Sequence, residues 1–244
     1  MINQVSKIIN TSQRFDSSNI TFNTNLPMSI TVLEKLYTNQ YKLLLGRKEL
    51  MAKSKNKLNV KKKYWGILKE NKENILHISN LIQKPEIFNT DMEFLDIESK
   101  FFFKLLTEDK NPIKTIKKKI IDKMADTATT KEQFLTLSQI LLAQSEGIFH
   151  FPVIIEDRKV LLQFNIHNDS STYFYLALEN LGPISGKMTL DNNIPTLELG
   201  VLFEKSYDLL KKELENNTIN TYISLKSEIL PLFDSSEVLL DMKG

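Results

Sequence analysis

The sequence predicts an α+β chain: a small antiparallel β-barrel-like domain, a helical connector, and a C-terminal mixed sheet with one packed helix. Three observations carry this. Short apolar runs separated by turn residues recur between Pro27 and Glu70, the mark of a small all-β unit. Apolar side chains then return at three- and four-residue spacing up to Gly147, which places them on one face of a helix. From Phe149 onward strict alternation resumes and gives way once more to helical spacing after Gly200.

Residues 1–26 are rich in Ser, Thr and Asn (Ser17, Ser18, Asn19, Thr21, Asn23, Thr24, Asn25), which favour local side-chain hydrogen bonds over a core. They are expected to form a flexible N-terminus. No apolar stretch there has the form of a signal peptide, and nowhere is there a run of about 18 apolar residues that could span a membrane. A cytoplasmic product without membrane insertion is the expectation. There is no cysteine, so disulfides and thiolate metal sites are excluded.

The first domain, residues 27–70, starts with Ile30, Val32 and Leu33, turns at Thr38-Asn39, and continues through Tyr41, Leu43 and Leu45 to a second turn at Gly46-Arg47. Tyr64-Trp65-Gly66-Ile67-Leu68 is its last apolar run. Ahead of that run, Lys61, Lys62 and Lys63 close a lysine-rich loop. Lysines beside Tyr64 and Trp65 could bind single-stranded nucleic acid, the charges tracking phosphate and the rings stacking on bases. The plainer reading is a solvated loop with Trp65 in the core. A formal net charge of +2 favours the plainer one, since dedicated nucleic-acid binders are strongly basic.

The connector, residues 71–147, is read as helices. Ile75, Ile78, Leu81 and Ile82 form one stripe ended by Pro85, and Asp96–Thr107 carries Phe101, Phe102 and Phe103 among further apolar residues. Asn111-Pro112 is a cap followed by proline at the first helical position, opening a helix with Ile113, Ile116, Ile120 and Met124 on one side. Thr130 and Gln133 form a capping box ahead of Phe134, Leu137, Leu141 and Leu142. A scaffold role, with the Phe101–Phe103 helix binding a partner, is one reading of the connector; packing within the chain is the other.

In the last domain, residues 148–244, Phe151, Val153 and Ile155 lead to a turn at Asp157-Arg158, and Val160, Leu162, Phe164 and Ile166 form the returning strand. Tyr173, Tyr175 and Ala177 alternate with Phe174, Leu176 and Leu178. After Leu181-Gly182-Pro183 comes a strand through Ile184, Gly186, Met188 and Leu190, and Asp191-Asn192-Asn193 marks a hairpin turn to Thr196–Leu202. Phe203, Tyr207, Leu210 and Leu214 then define one helical stripe, and Ile219–Leu225 a last strand.

No motif of catalysis appears. His77, His150 and His167 have no ligand-spaced partners, and no zinc or phosphate-loop pattern is present. Ser170 and Ser171, near His167 and Asp169, read as a hairpin tip, because a triad needs a base oriented by a third group. No enzyme activity, cofactor, metal or small-molecule substrate is expected.

The order strand–strand–strand–helix over 172–214, with Leu176-Ala177-Leu178-Glu179-Asn180-Leu181-Gly182-Pro183-Ile184 and the helical Leu209-Leu210-Lys211-Lys212-Glu213-Leu214 run, resembles the C-terminal domain of the flagellar hook-length control protein family. Tyr41-Lys42-Leu43-Leu44-Leu45-Gly46 likewise resembles the small β-domain that precedes it in some members. Glu179-Asn180 stand where the family pattern has a proline, and no acidic residue follows at Ser185. The resemblance implies a non-enzymatic factor, exported by an uncleaved N-terminal region, that contacts the cytoplasmic domain of the flagellar type III export gate and switches it from rod-and-hook to filament substrates. Leu178, Leu181, Gly182 and Ile184 would then be the partner-binding residues. Family members that measure length carry a long, poorly ordered segment, and the short, folded middle of this chain points to switching or assembly instead.

Overall fold

The computed structural model describes residues 6–8, 26–70, 76–89, 104–105, 107–156, 158–165, 171–191, 194–215 and 219–234. The Phe101–Phe103 segment and the His167–Ser170 tip lie outside them. The fold is α+β, with a closed barrel followed by a six-stranded mixed sheet.

The barrel runs β1 (Ser6–Ile8), β2 (Met28–Tyr37), β3 (Gln40–Leu45), β4 (Lys48–Lys53), β5 (Lys63–Glu70) and β6 (Leu76–Gln83), joined in the order β1-β4-β3-β2-β5-β6. Alternation on β2, β3 and β4 sends Ile30, Val32, Tyr41, Leu43, Leu45, Leu50 and Ala52 inward. Strand β1 closes the ring by pairing with both β4 and β6, which removes the exposed edges an open sheet would carry. Two expectations are corrected here. Residues 6–8, expected in a flexible terminus, form a barrel strand, and residues 76–83, expected as a helix, form β6.

The reason for the second correction is a bulge. Ile67 pairs with Ser79 and Trp65 with Ile82, so Gly66 faces both Asn80 and Leu81. Asn80 takes φ 53°, a left-handed conformation that asparagine tolerates. The extra residue puts Ile78 and Leu81, three apart, against the same barrel core. That spacing imitates one turn of helix.

A 3-10 turn (Glu86–Phe88) leaves the barrel. Helix α1 (Pro112–Met124) has proline in its first turn as expected, and the Asp109 carboxylate accepts from the Asn111 N–H at 2.7 Å. Helix α2 (Lys131–Ser145) opens on the Thr130–Gln133 capping box. The sheet then adds β7 (Ile148–Ile155), β8 (Arg158–Asn165), β9 (Ser171–Leu178), β10 (Gly182–Asp191) and β11 (Ile194–Val201) as successive antiparallel neighbours. Helix α3 (Glu204–Leu214) crosses over to β12 (Asn220–Leu225), which pairs parallel to β11 at the sheet's edge. A parallel neighbour requires such a crossover.

The sheet is covered unequally. One face, with Phe149, Phe151, Val153 and Val160, packs on α1 and α2 through Ile116, Ile120, Leu137 and Ile140. Farther along that face, Ile184, Leu199 and Val201 meet Tyr207, Leu210 and Leu214 of α3. On the opposite face Leu161, Tyr175 and Ala177 pack against Trp65, Ile87 and Phe88 of the barrel side. Barrel and sheet therefore share a core.

Candidate functional site

The residues proposed for partner binding surround the break between β9 and β10. Gly182 adopts φ +82°, and a Cβ there would lie 2.3 Å from the Phe203 ring. Only glycine suits both the angle and the space. Ile184 is 3 % exposed and packed with Leu199 and Val201, while Leu178 and Leu181 are half-buried against the same cluster. The Ser206 hydroxyl donates to the Leu181 carbonyl at 2.8 Å, tying α3 to this corner. Gly182 and Ile184 thus hold the fold together and present no side chain to a partner.

The basic-aromatic patch is also rearranged. Tyr64 points into the barrel, where its hydroxyl accepts from the Asn59 N–H at 2.9 Å, and burial pushes its phenol pKa upward. Trp65 points the other way, is 1 % exposed, and meets Phe88 edge-on at 5.9 Å. Lys62 pairs with Glu86, and the Lys63 ammonium donates to the Phe88 carbonyl at 2.9 Å. Lys61 is exposed with φ 66° in the loop ahead of β5. With both rings buried, the stacking half of the proposed nucleic-acid site is lost.

Two other regions stand out. The first is the uncovered end of the sheet. Tyr173, Lys187, Glu198 and Tyr222 form one cross-strand row over β9 to β12. Tyr173 and Tyr222 are 45 % and 66 % exposed, and the Lys187 ammonium sits 5.5 Å from the Tyr173 ring centre. Met188, Leu190 and Ile194 are exposed near the β10–β11 turn. Among the described residues no strand pairs with the outer edge of β12, so its main-chain donors and acceptors form a ready pairing template.

The second is the joint between barrel and sheet, a cleft of about 220 Å³ lined by Trp65, Ile82, Lys84, His150, Leu161, Tyr175, Pro183, Phe233 and Asp234 among others. The segment 229–234 runs across it. Gln163, fully buried, holds this strap. Its Oε1 accepts from the N–H groups of Leu232 at 2.8 Å and Phe233 at 3.3 Å, and its Nε2 donates to the Phe233 carbonyl at 2.7 Å. The second Nε2 hydrogen faces His150 Nδ1 at 2.8 Å. Nδ1 therefore accepts, and the ring proton sits on Nε2. That Nε2–H is buried without a hydrogen-bond partner among the described residues. Burial holds the His150 pKa down at about 4, against a smaller opposing pull from Asp234.

Lys84 closes the other side. Its ammonium donates to Ser29 Oγ at 2.9 Å, lies 3.4 Å from Glu179 Oε1, and sits 5.4 Å from the Trp65 and 5.3 Å from the Phe88 ring centres. Burial lowers its pKa to about 8, only partly offset by Glu179. In the sequence His150 stands out only as a histidine without a ligand-spaced partner, and Lys84 and Gln163 belong to no motif. The signal for Gln163 was a lone amide inside the apolar run Val160-Leu161-Leu162-Gln163-Phe164. For His150 it was a ring between Phe149 and Phe151 on the opposite face of β7.

Among the described residues no group of three or more acidic or imidazole side chains could hold a metal ion, and no helix is long and apolar enough to cross a membrane. No family model, characterised protein or solved structure matches the chain.

Proposed function

We propose that this chain is a non-enzymatic flagellar type III export and assembly factor related to hook-length control, which acts by contacting the cytoplasmic domain of the export gate and switching its substrate specificity. The observation that carries the reading is the arrangement over 171–225: an antiparallel meander, a crossover helix on one face, and a parallel edge strand whose outer side is unpaired among the described residues. The strand–strand–strand–helix order agrees with the resemblance in sequence. Partner contact moves in this reading from the β9–β10 corner to the edge of β12 and the row containing Tyr173 and Tyr222. Exposed tyrosines contribute large contact area at low entropic cost, and an unpaired edge can take an added strand. The protein acts in the cytoplasm, and its N-terminal region directs it into the export apparatus.

The test is retention of the full chain on the purified cytoplasmic domain of the export gate, at moderate and high salt, with single-stranded RNA as a parallel bait. Gate retention that survives high salt and falls about tenfold or more in a Tyr173→Ala, Tyr222→Ala double variant, as for a contact hot spot, supports the reading. Failure to retain the gate domain rejects it, and salt-sensitive RNA binding in its place would favour the basic loop Lys61–Lys63.

A further inference from the structure

We infer that the outer face of the α1–α2 helix pair is a docking surface for an anionic lipid bilayer, with the lysines of α1 on the headgroups and Ile121, Phe134 and Leu135 reaching between them. The helices stay packed on the sheet, so the contact is peripheral. They cover the sheet face opposite the one that carries Tyr175 and, two residues earlier on β9, Tyr173. This surface is therefore separate from the exposed row and edge and does not depend on the export reading.

Positive charge is concentrated on α1. The helix carries five lysines and one aspartate, a net charge of +4, while the whole chain carries +2, so the remainder is net negative. Lys114, Lys117, Lys118 and Ile121 stand at i, i+3, i+4 and i+7, which puts them on one face, and all four are exposed. Ile116 and Ile120 of the same helix are buried against the sheet. Lys114, Lys117 and Lys118 form no ion pair among the described residues. Helix stability does not account for them either. Lys114 lies in a first turn that holds no acidic residue, and a cation there opposes the helix dipole. Unneutralised lysines along an amphipathic helix are complementary to an anionic surface.

The apolar neighbours select which anionic surface. The Thr129 hydroxyl donates to the Lys123 carbonyl at 2.6 Å, which folds the start of α2 back toward the end of α1. Ile121 on α1 and Phe134 and Leu135 near the start of α2 are 47 %, 45 % and 44 % exposed. Large apolar side chains beside lysines suit the boundary between headgroups and acyl chains. A nucleic-acid backbone would engage the lysines and leave these three side chains in water.

The experiment is flotation of the full chain with vesicles of phosphatidylcholine alone and of phosphatidylcholine with about one-third phosphatidylserine. It is run at low and high salt, with duplex DNA and single-stranded RNA as parallel ligands. The chain should float with the phosphatidylserine vesicles at low salt, less at high salt, and not with phosphatidylcholine alone. Lys114→Gln, Lys117→Gln and Lys118→Gln together should weaken binding about a hundredfold, at about fivefold per lysine. Arginine at the same three positions should retain it. Phe134→Ser with Leu135→Ser should weaken it about tenfold. All five positions are exposed, so each variant should melt near the parent temperature, which separates lost docking from lost folding. No flotation with the phosphatidylserine vesicles would overturn the proposal, and lysine-dependent binding to DNA or RNA in its place would make the partner a nucleic acid. Flotation unchanged by the glutamine or the serine substitutions would overturn it as well.

Discussion

The indole Nε1 of Trp65 on the barrel donates to the Leu178 carbonyl of the sheet at 2.9 Å, sharing its hydrogen with the neighbouring Glu179 carbonyl at 3.1 Å. This bond sits at the end of β9, where the strand's own ladder stops and a carbonyl needs a donor. It makes the barrel a part of the sheet's packing and ties the two through a shared core.

Because Trp65 is the chain's only tryptophan, its emission reports on the joint alone. In urea, tryptophan fluorescence and far-UV ellipticity should follow a single transition, as a cooperative unit requires. Trp65→Phe keeps most of the ring and loses the bonds, and should cost about 1–3 kcal/mol, read as a lower urea midpoint in ellipticity. Emission that changes well before ellipticity would show the barrel detaching first, against this view.

The parts of the fold legible in sequence are those where local pattern and tertiary demand agree. The β10–β11 hairpin, the Thr130–Gln133 cap and the stripe of α3 follow from turn residues and periodicity alone. Strand β6 does not, because the bulge at Asn80 gives it helix-like spacing. The joint is opaque for another reason. Lys84, Gln163 and His150 read as ordinary surface or strand residues until chain segments far apart in sequence bury them together. Trp65 shows the limit most clearly, since alternation fixes that Tyr64 and Trp65 face opposite ways and leaves open what each one meets.

Lys84 carries a charge where burial opposes it. Its folded pKa of about 8 lies below the ordinary 10.5, so the unfolded chain binds more protons between those values. Stability should therefore rise as pH climbs from about 8 to 10.5, by up to about 3 kcal/mol. Lys84→Met should remove that rise and leave the protein as stable or about 1–2 kcal/mol more stable at pH 7, because apolar replacement ends the desolvation cost. Glu179→Gln should destabilise, since it strips the ammonium of its counter-ion. Urea midpoints at pH 7 and pH 10 for the three proteins decide it, and an unchanged pH dependence in Lys84→Met would refute the assignment.

His150 works in the opposite pH range. Its folded pKa of about 4 lies below the ordinary 6.5, so the unfolded state takes up the proton first as pH falls. Stability is complete above about 6.5 and declines toward pH 4, by up to about 3 kcal/mol. Protonated Nδ1 would also face the Gln163 amide hydrogens, setting donor against donor. Gln163→Leu leaves the Leu232 and Phe233 main-chain groups without their partner and should release the strap, with a cost of about 2–4 kcal/mol. Hydrogen exchange over 229–234 should then accelerate far more than in β7 or β8. Equal acceleration throughout would mean general loosening instead.

Gly182 separates a structural role from a partner-contact role. Any side chain at φ +82° is strained, and a Cβ there runs into the Phe203 ring at 2.3 Å, just before α3 begins. Phe203 is itself 1 % exposed in the shared core, so it has nowhere to yield. Gly182→Val should destabilise the chain by about 2–4 kcal/mol, combining backbone strain with overpacking, and should lower the thermal midpoint. Adding Phe203→Leu should recover part of the steric loss and none of the strain, so the two changes together should cost less than the sum of each alone. Were Gly182 a contact for a partner and nothing more, Gly182→Val would bind less tightly while melting at the parent temperature.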